Sequence, residues 1–391
     1  MEASTDISVV IPCLNEEATV GRVVEKTLAA LKGTGLTHEV VVADNGSTDA
    51  SRARAADVGA RVVDASHIRG AGAATRIGAS AARGRWIVLI DADEEHDPGE
   101  ILKLIEPLRA GDAELVLGSR YKGEFLMGAS SFWNRALGTP VLTALLNHFF
   151  GTKITDCNTG FRAMTRESFE RISFRENGFE FCSEMIARAA MADVGITEVP
   201  ITQHPGPEAR VPHLRRWRDG WRHLKIILLY APDRVLLRPG LMLLALGLLL
   251  FVPQIGGRVE WGPIIMDIHL MILGALFLTM GLEMSGSAVI CASLAQEPVV
   301  PSGRLSRKLG RFFHLERALL MAAALFFVGL AVDVVVVGIS AAQGFQGLAE
   351  PRLALVGTVG MGLAVQLAVH SFVNAVILQH RQATSNEYRR D

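Results

Sequence analysis

Asp91-Ala92-Asp93 follows the apolar run Trp86–Ile90 directly. A short apolar run of this kind reads as a buried parallel strand. Two carboxylates one residue apart then stand at the carboxyl edge of a sheet, where open α/β sheets bind their ligands. They repel each other unless a cation lies between them. Mg²⁺ or Mn²⁺ shared between carboxylates and substrate phosphates is the usual hard-oxygen solution. Glu95 offers a third oxygen ligand. Three more polar or glycine-rich turns accompany this one: Pro12-Cys13-Leu14-Asn15-Glu16-Glu17, Asp44-Asn45-Gly46-Ser47-Thr48-Asp49 and Gly70-Ala71-Gly72. A carboxylate such as Asp44 at a strand end can accept from base N–H groups, and the neighbouring Asn and Gly permit the tight turn. Gly70-x-Gly72 allows close backbone approach, but it lacks the third glycine and the preceding strand of a dinucleotide signature.

The elements around these turns alternate. Strands are expected at Ile7–Pro12, Glu39–Ala43, Ala60–Val63, Trp86–Ile90 and Leu115–Leu117. Helices are expected at Glu16–Lys32, Ser51–Gly59, Ala71–Arg83 and Pro98–Arg109. Trp133–Phe150, Arg166–Ser173 and Phe181–Ala192 read as further helices, and Glu198–Ile201 as a late strand. Alternation of this kind predicts an α/β domain with a twisted, mostly parallel sheet, and it gathers the polar turns on one edge.

Composition divides the chain. Half of its 391 residues are hydrophobic, and the excess begins near Leu224. The formal net charge of −1 gives no argument for nucleic acid. Cys13, Cys157, Cys182 and Cys291 form no C-x-x-C pair, so they read as reduced thiols and the first domain as cytoplasmic. Met1–Asp6 has no basic region followed by an apolar core, so no cleavable signal peptide is expected. In His213–Tyr230, Leu214, Trp217, Trp221, Leu224 and Leu228 recur at helical steps with arginines off that face. This pattern predicts a helix lying in a membrane interface. Four spans follow, at about Pro239–Gly257, Ile264–Met284 (or shifted toward Leu294), Ala318–Ile339 and Leu353–Leu378. Arg234, Arg238, Arg304, Arg307, Lys308, Arg311, Arg317, Arg381, Arg389 and Arg390 all fall on one side of these spans, which places both termini in the cytoplasm. The expected domains are therefore a cytoplasmic domain at 1–212, an interface helix at 213–235 and a transmembrane domain at 236–391. Asp267, Glu283 and Asp333 lie within or near spans, and pairing between helices or interface placement accounts for them.

The set Pro12–Glu17, Asp44–Asp49, Gly70–Gly78, Asp91–Asp93 and Gly118-Ser119-Arg120 resembles the inverting glycosyltransferases of family 2, which have the GT-A fold. Asp156-Cys157-Asn158-Thr159-Gly160-Phe161-Arg162 is similar to a segment of the polyprenyl-phosphate hexose synthases, the dolichol-phosphate mannosyltransferase group. The stretch His213–Leu224, centred on Trp-Arg-Asp-Gly-Trp-Arg, resembles the segment by which bacterial members reach the membrane. The resemblance implies a GT-A, Rossmann-like mixed sheet, a nucleotide sugar (UDP-glucose or GDP-mannose) as donor and a polyprenyl phosphate as acceptor. It implies Mg²⁺ or Mn²⁺ on Asp91, Asp93 and Glu95. It also implies donor contacts from Pro12, Asn15, Glu16, Asp44, Gly46, Ser47, Asp91, Ala92 and Arg210. Arg120 and Arg135 would meet the acceptor phosphate, with Asp93 and Arg120 central to catalysis. Asp156, Arg162 and Glu184 would complete the pocket. A homo-oligomer is compatible with this reading.

The chemistry fits the residues independently. A polyprenyl phosphate is already ionised at neutral pH, so it needs no strong base to attack an anomeric carbon. It needs cationic groups to bring two phosphate-bearing substrates together and a metal to stabilise the leaving diphosphate. Arginine suits that task because its planar fork matches phosphate. Two rival readings remain at this level. A processive polysaccharide synthase would carry Q-x-x-R-W, whereas His213-Leu-Arg-Arg-Trp217 has His where Gln is needed. A nucleotide-sensing domain on a lipid transporter is opposed by the few intramembrane charges and the lack of an evident repeat.

Overall fold

The computed structural model describes residues 5–129, 133–206, 216–261, 264–294, 309, 315–345 and 350–387. The chain divides into two compact units, Met1–Tyr230 and Ala231–Asp391.

The first unit is built on one seven-stranded sheet. In chain order its elements are β1 (Ile7–Cys13), α1 (Val20–Leu31), β2 (His38–Asp44), α2 (Ser51–Asp57), β3 (Arg61–Asp64), α3 (Ala71–Ala81) and β4 (Trp86–Leu89). They continue with α4 (Ile101–Ala110), β5 (Leu115–Phe125), α5 (Thr139–Phe150), β6 (Arg162–Thr165), α6 (Arg166–Ile172), α7 (Phe181–Met191), β7 (Ile196–Gln203) and α8 (Arg216–Leu229). The strand order is β3-β2-β1-β4-β6-β5-β7. All neighbours are parallel except β6, which runs against both β4 and β5. Alternation in β1 separates the two cores. Ile7, Val9, Ile11 and Cys13 pack with α1 and α4, while Val10 packs on the face covered by α3, α5, α6 and α7.

Three elements differ from the sequence expectation. β5 continues to Phe125 instead of stopping at Leu117, because β7 pairs with it on both sides of an irregularity between Ser119 and Glu124. Arg120 thus lies within a strand, at a bulge, and not in a loop beyond a strand end. β6 is four residues long and had no separate signal, being inserted antiparallel in the middle of the sheet. The stretch expected as one helix at Trp133–Phe150 opens with a π-helical turn at Asn134–Gly138 before α5.

α8 turns inward a stripe other than the one that bears Trp221. Asp219, His223, Ile226 and Ile227 are buried, whereas Trp221 is 62% exposed beside exposed Arg218, Arg222 and Lys225. The core face is thus a second stripe, and the Trp–Arg face is left to its surroundings. Residues 207–215, which include Arg210, His213 and Leu214, lie outside the described residues.

The second unit contains α9 (Arg238–Phe251), a hairpin of β8 (Val259–Trp261) and β9 (Ile264–Met266), α10 (Ile268–Leu294), α11 (Leu315–Ala342) and α12 (Pro351–Glu387). Among the described residues four segments are long and apolar enough to cross a membrane: Asp233–Gln254, Ile268–Ser293, Leu315–Ala342 and Pro351–Gln379. The second takes the later of the two expected positions, because β9 occupies Ile264–Met266. Gly240 and Gly247 of α9 face Gly281 and Gly274 of α10 so closely that a Cβ on any of them would meet the partner helix within 3 Å. Small residues at such crossings let helices pack in an apolar medium. The ionisable groups pair as expected: Asp267 with Arg352, Glu283 with His370, and Asp333 with the Thr358 hydroxyl.

Candidate functional site

β1 and β2 pair from Ile7–His38 to Cys13–Asp44, so their carboxyl ends are level. β4 lies on the other side of β1, and Ile90 N–H still donates to Val10 O (3.2 Å). The turns after these strands therefore share one edge. Because β6 is antiparallel, Arg162 stands opposite Leu89, and the preceding loop Asp156–Phe161 emerges at that same edge.

The first two turns are laced together. Asn15, with φ of +56°, donates its N–H to Ser47 Oγ (3.0 Å) and accepts from Thr48 N–H at Oδ1 (2.8 Å). Glu16 N–H donates to Ser51 Oγ (2.8 Å). Pro12 stands opposite Ala43 in the β1–β2 ladder. Asp44 is 1% exposed, accepts from the N–H groups of Gly46 (3.3 Å) and Ser47 (3.2 Å), and lies 3.5 Å from Arg52 Nη1. Its carboxylate thus braces its own turn. Asn45, which the sequence reading did not single out, is the hub. Its Oδ1 accepts from Gly70 N–H (2.7 Å), and its Nδ2 donates to Ala65 O (2.7 Å) and Ile68 O (2.8 Å). Only its place in an Asx-rich turn could have flagged it.

Gly70 and Gly72 make their close approach to the protein's own backbone. A Cβ on Gly70, whose φ is +128°, would sit 2.1 Å from Asn177 O, and one on Gly72 would sit 2.3 Å from Glu176 O. Glu184 holds that loop. It is fully buried and accepts from the N–H groups of Arg175 (2.9 Å) and Glu176 (2.7 Å), and from Tyr230 Oη–H (2.7 Å). It supports the pocket from beneath and does not face it.

At the end of β4, the Asp91 side chain is 35% exposed and Asp93 is 8% exposed. Gly160 is where Asp91 seats: a Cβ there would lie 2.1 Å from Asp91 Oδ2. Asp93 Oδ1 accepts from Glu95 N–H (3.1 Å). Glu94, at φ +61°, swings away to Arg22 and Lys26 of α1. Glu95 Oε2 accepts from Gln203 Nε2 (2.8 Å), and among the described residues no group of three His, Cys, Asp or Glu gathers to hold a metal. The expected three-ligand set is thus not assembled, and Glu95 serves the Gln203 contact. Two carboxylates at a sheet edge still suit Mg²⁺ or Mn²⁺, which keep waters and draw remaining ligands from substrate phosphates. The Gly160 cradle leaves room for Asp91 to present its oxygens.

His96 also belongs to this site and went unnoticed in the sequence. It is 4% exposed, stacks on Phe161 with centroids 5.6 Å apart, and places Nε2 4.0 Å from Asp91 Oδ2. Its Nδ1 is buried with no hydrogen-bond partner. Burial, with some help from Arg120, pulls its pKa down to about 4 against the nearby aspartates, so the ring is neutral at neutral pH.

The arginines separate into different jobs. Arg120 grips Asp156 with two parallel bonds, Nε to Oδ2 (2.6 Å) and Nη2 to Oδ1 (2.8 Å), and adds its backbone N–H (3.2 Å). Nη1 points toward Gln203 Oε1 at 3.4 Å. Burial alone would raise the Asp156 pKa, but the Arg120 charge overrides it and holds the carboxyl below its usual range. Arg162 is not the partner of Asp156. It is fully buried and spends its donors on the carbonyls of Thr159, Cys182 and Cys157, each 2.9 Å away, so it is a brace for the loop and offers no charge to a ligand. Arg135 is exposed and lies 4.6 Å over the Phe125 ring, while its carbonyl accepts from Tyr121 Oη–H (2.8 Å). Arg210 lies outside the described residues.

Comparison with known proteins bears on this arrangement. Residues 8–173 match Glycosyl transferase family 2, and residues 290–378 match the Glycosyltransferase family 2 C-terminal transmembrane region. The low-salt glycan biosynthesis hexosyltransferase Agl6 of Haloferax volcanii is 33% identical over 95% of this chain and 90% of its own. The dodecaprenyl-phosphate galacturonate synthase of Rhizobium johnstonii is 26% identical over 51% of this chain and 60% of its own. The dolichol-phosphate mannosyltransferase of Pyrococcus furiosus is 28% identical over 50% of this chain and 56% of its own. Among solved structures, glucosyl-3-phosphoglycerate synthase from Mycobacterium tuberculosis in complex with Mn²⁺, UDP and phosphoglyceric acid aligns with a TM-score of 0.46 at 26% identity, over 58% of this chain and 78% of that one.

Proposed function

The chain belongs to glycosyl transferase family 2, and from that premise we propose that it transfers a hexose from a nucleotide sugar to a polyprenyl phosphate, with inversion, at the cytoplasmic face of a membrane. The family membership makes it a glycosyltransferase of the GT-A fold, related to polyprenyl-phosphate sugar synthases and to the Agl glycan-biosynthesis enzymes. With its C-terminal transmembrane region it is a multi-pass membrane protein carrying an N-terminal catalytic domain. Donor and acceptor are our assignment. The observation that carries it is the Asp91–Asp93 pair at a level strand edge, seated on Gly160, in a chain that continues into four membrane spans.

In this reading Pro12, Asn15, Glu16, Asp44, Gly46 and Ser47 shape the nucleoside end of the site through the laced turns. Asp91 and Asp93 would hold Mg²⁺ or Mn²⁺, which when bound stabilises the charge on the departing diphosphate. A lipid phosphate oxygen attacks the anomeric carbon from the opposite side, and the sugar–diphosphate C–O bond breaks. The phosphate carries its own negative charge, so no proton need leave it. Arg120 is turned by Asp156 so that Nη1, which also donates to Gln203 Oε1, is its edge toward the acceptor, and exposed Arg135 supplies a second, less restrained cation. Neutral His96 fills the space behind Asp91 without adding charge.

The test is direct. Membranes containing the full chain are incubated with a panel of radiolabelled nucleotide sugars and a polyprenyl phosphate. We expect one hexose donor to give label that extracts into organic solvent and is released by mild acid, as a sugar phosphodiester is. Label found only in polymer, protein or water-soluble material would overturn the acceptor assignment.

A further inference from the structure

The last residue of β7 stands between the two halves of the site. Gln203 lies opposite Phe125 at the far end of β5, and its carbonyl accepts from Leu126 N–H (3.0 Å). On its other side it forms an antiparallel bridge with His96, and the next residue, His204, donates its N–H to Glu95 O (2.8 Å). Its backbone is therefore held both by the segment after β4, which carries Asp91, Asp93 and Glu95, and by the strand that carries Arg120. The side chain makes the same connection. Gln203 is 3% exposed, its Nε2 donates to Glu95 Oε2 (2.8 Å), and its Oε1 accepts from Arg120 Nη1 (3.4 Å).

The choice of an amide at this point has a physical reason. A side-chain amide has a donor end, an acceptor end and no charge. One end answers the carboxylate and the other the guanidinium, and a single orientation satisfies both. Arg120 already gives two N–H groups to Asp156. A second carboxylate placed directly on Nη1 would close its remaining edge and cancel the charge an acceptor phosphate needs. With the amide between them, Glu95 sets where Nη1 lies while its own charge is kept one side chain away. A contact of 3.4 Å is long for a hydrogen bond to a charged group, so it steers that corner of the fork and leaves it able to take a phosphate oxygen. Glu95 in turn moves with Asp93, whose Oδ1 accepts its N–H (3.1 Å).

We propose that Gln203 is a positioning residue that makes the aim of Arg120 depend on the Glu95 carboxylate, and so ties the acceptor side of the site to the strand end that bears Asp91 and Asp93. The inference rests on the acceptor reading above and adds to it a route by which Glu95 acts on acceptor binding.

The full chain in lipid nanodiscs would be assayed for acceptor KM, donor KM and kcat, with melting recorded alongside. Gln203→Met keeps the bulk and removes both side-chain bonds. We expect it to raise the acceptor KM at least five-fold while donor KM stays within two-fold. Glu95→Ala should raise the acceptor KM to a similar degree, because Glu95 reaches Arg120 through Gln203, and the two changes together should raise it no further. Gln203→Glu sets a carboxylate against Glu95 and on Nη1, so it should raise the acceptor KM at least as far, and it covers the event that the methionine prevents folding. The melting temperature lost by the combined variant Gln203→Met/Glu95→Ala should be smaller than the sum of the single losses, since both remove one shared bond. An acceptor KM that stays within two-fold in Gln203→Met, a rise shared equally by donor and acceptor KM, or effects of Gln203→Met and Glu95→Ala that multiply would each overturn the proposal. So would a Glu95→Ala chain in which only the metal concentration for half-maximal rate has moved. If no lipid accepts sugar yet the melting losses are less than additive, the acceptor reading fails and the Gln203 link stands.

Discussion

The Arg120–Asp156 pair decides how this site is to be dissected. Asp156 is fully buried and receives both edges of the Arg120 fork. Removing the arginine strands a buried carboxylate, which costs about 3–5 kcal/mol. Arg120→Ala should therefore lower thermal stability as well as activity. The double variant Arg120→Met/Asp156→Leu should regain most of the stability and none of the turnover, as followed by melting and by lipid-linked product. Recovery of turnover with stability would make the pair a scaffold and remove Arg120 from catalysis. The histidines give a pH signature. Burial holds both His96 and His223 down to about 4, below the ordinary value near 6.5. The folded state then binds fewer protons than the unfolded one, so their contribution is intact above pH 6.5 and is lost as pH falls toward 4. Each should cost about 2 kcal/mol of stability between pH 7.5 and 5. His223→Gln should shrink the drop in melting temperature over that range relative to the unaltered chain, and an unchanged drop would count against the burial argument. Asp91 and Asp93 were legible because a strand pattern preceded them. Asn45 and His96 were not, because their meaning lies in the Gly70 N–H and in the Phe161 ring, both distant in sequence.

At the scale of elements, the reversed strand β6 does the decisive positioning. By running antiparallel between β4 and β5 it delivers Asp156–Phe161 to the ligand edge, where Gly160 seats Asp91. Gly160→Ala would place a Cβ 2.1 Å from Asp91 Oδ2. The carboxylate must move, while Gly160 itself lies in a loop with no positive φ to lose. We expect turnover to fall 10- to 100-fold, the metal concentration for half-maximal rate to rise, and melting to change little. Unchanged metal dependence would show that Asp91 does not present its oxygens from this seat. The alternating α/β order, the four strand-end turns and most helices could be read from periodicity. β6 could not, since four residues carry too little pattern and its antiparallel pairing is a tertiary choice. The extension of β5 was hidden for a related reason: Lys122, Gly123 and Glu124 look like a loop until β7 pairs beside them. In α8 the sequence pattern pointed to the stripe that bears Trp221 as the membrane-interface face and did not reveal the second stripe that packs on the core. The structure buries Ile226 and Ile227 and leaves Trp221 out.

The whole chain joins two solvents' worth of chemistry: a polar catalytic unit and a bundle that is apolar all round. Residue composition was enough to find the four spans, because a bilayer sets their length. It was not enough to find the β8–β9 hairpin, whose second strand, Ile264–Met266, read as the start of a span. The account stands or falls on metal-dependent transfer at the β4 strand end. The most direct measurement is the single-turnover rate of hexose transfer to polyprenyl phosphate by the full chain and by Asp93→Asn, each titrated with Mg²⁺ and Mn²⁺, with melting recorded alongside. Asp93 sits beyond the last residue of β4, so its loss should leave the fold intact. The diphosphate would lose its main electrostatic stabiliser, and the rate should fall by about 10²–10³ or more at saturating metal. A folded Asp93→Asn chain that transfers hexose at a near-normal rate in saturating Mg²⁺ or Mn²⁺ would contradict the account.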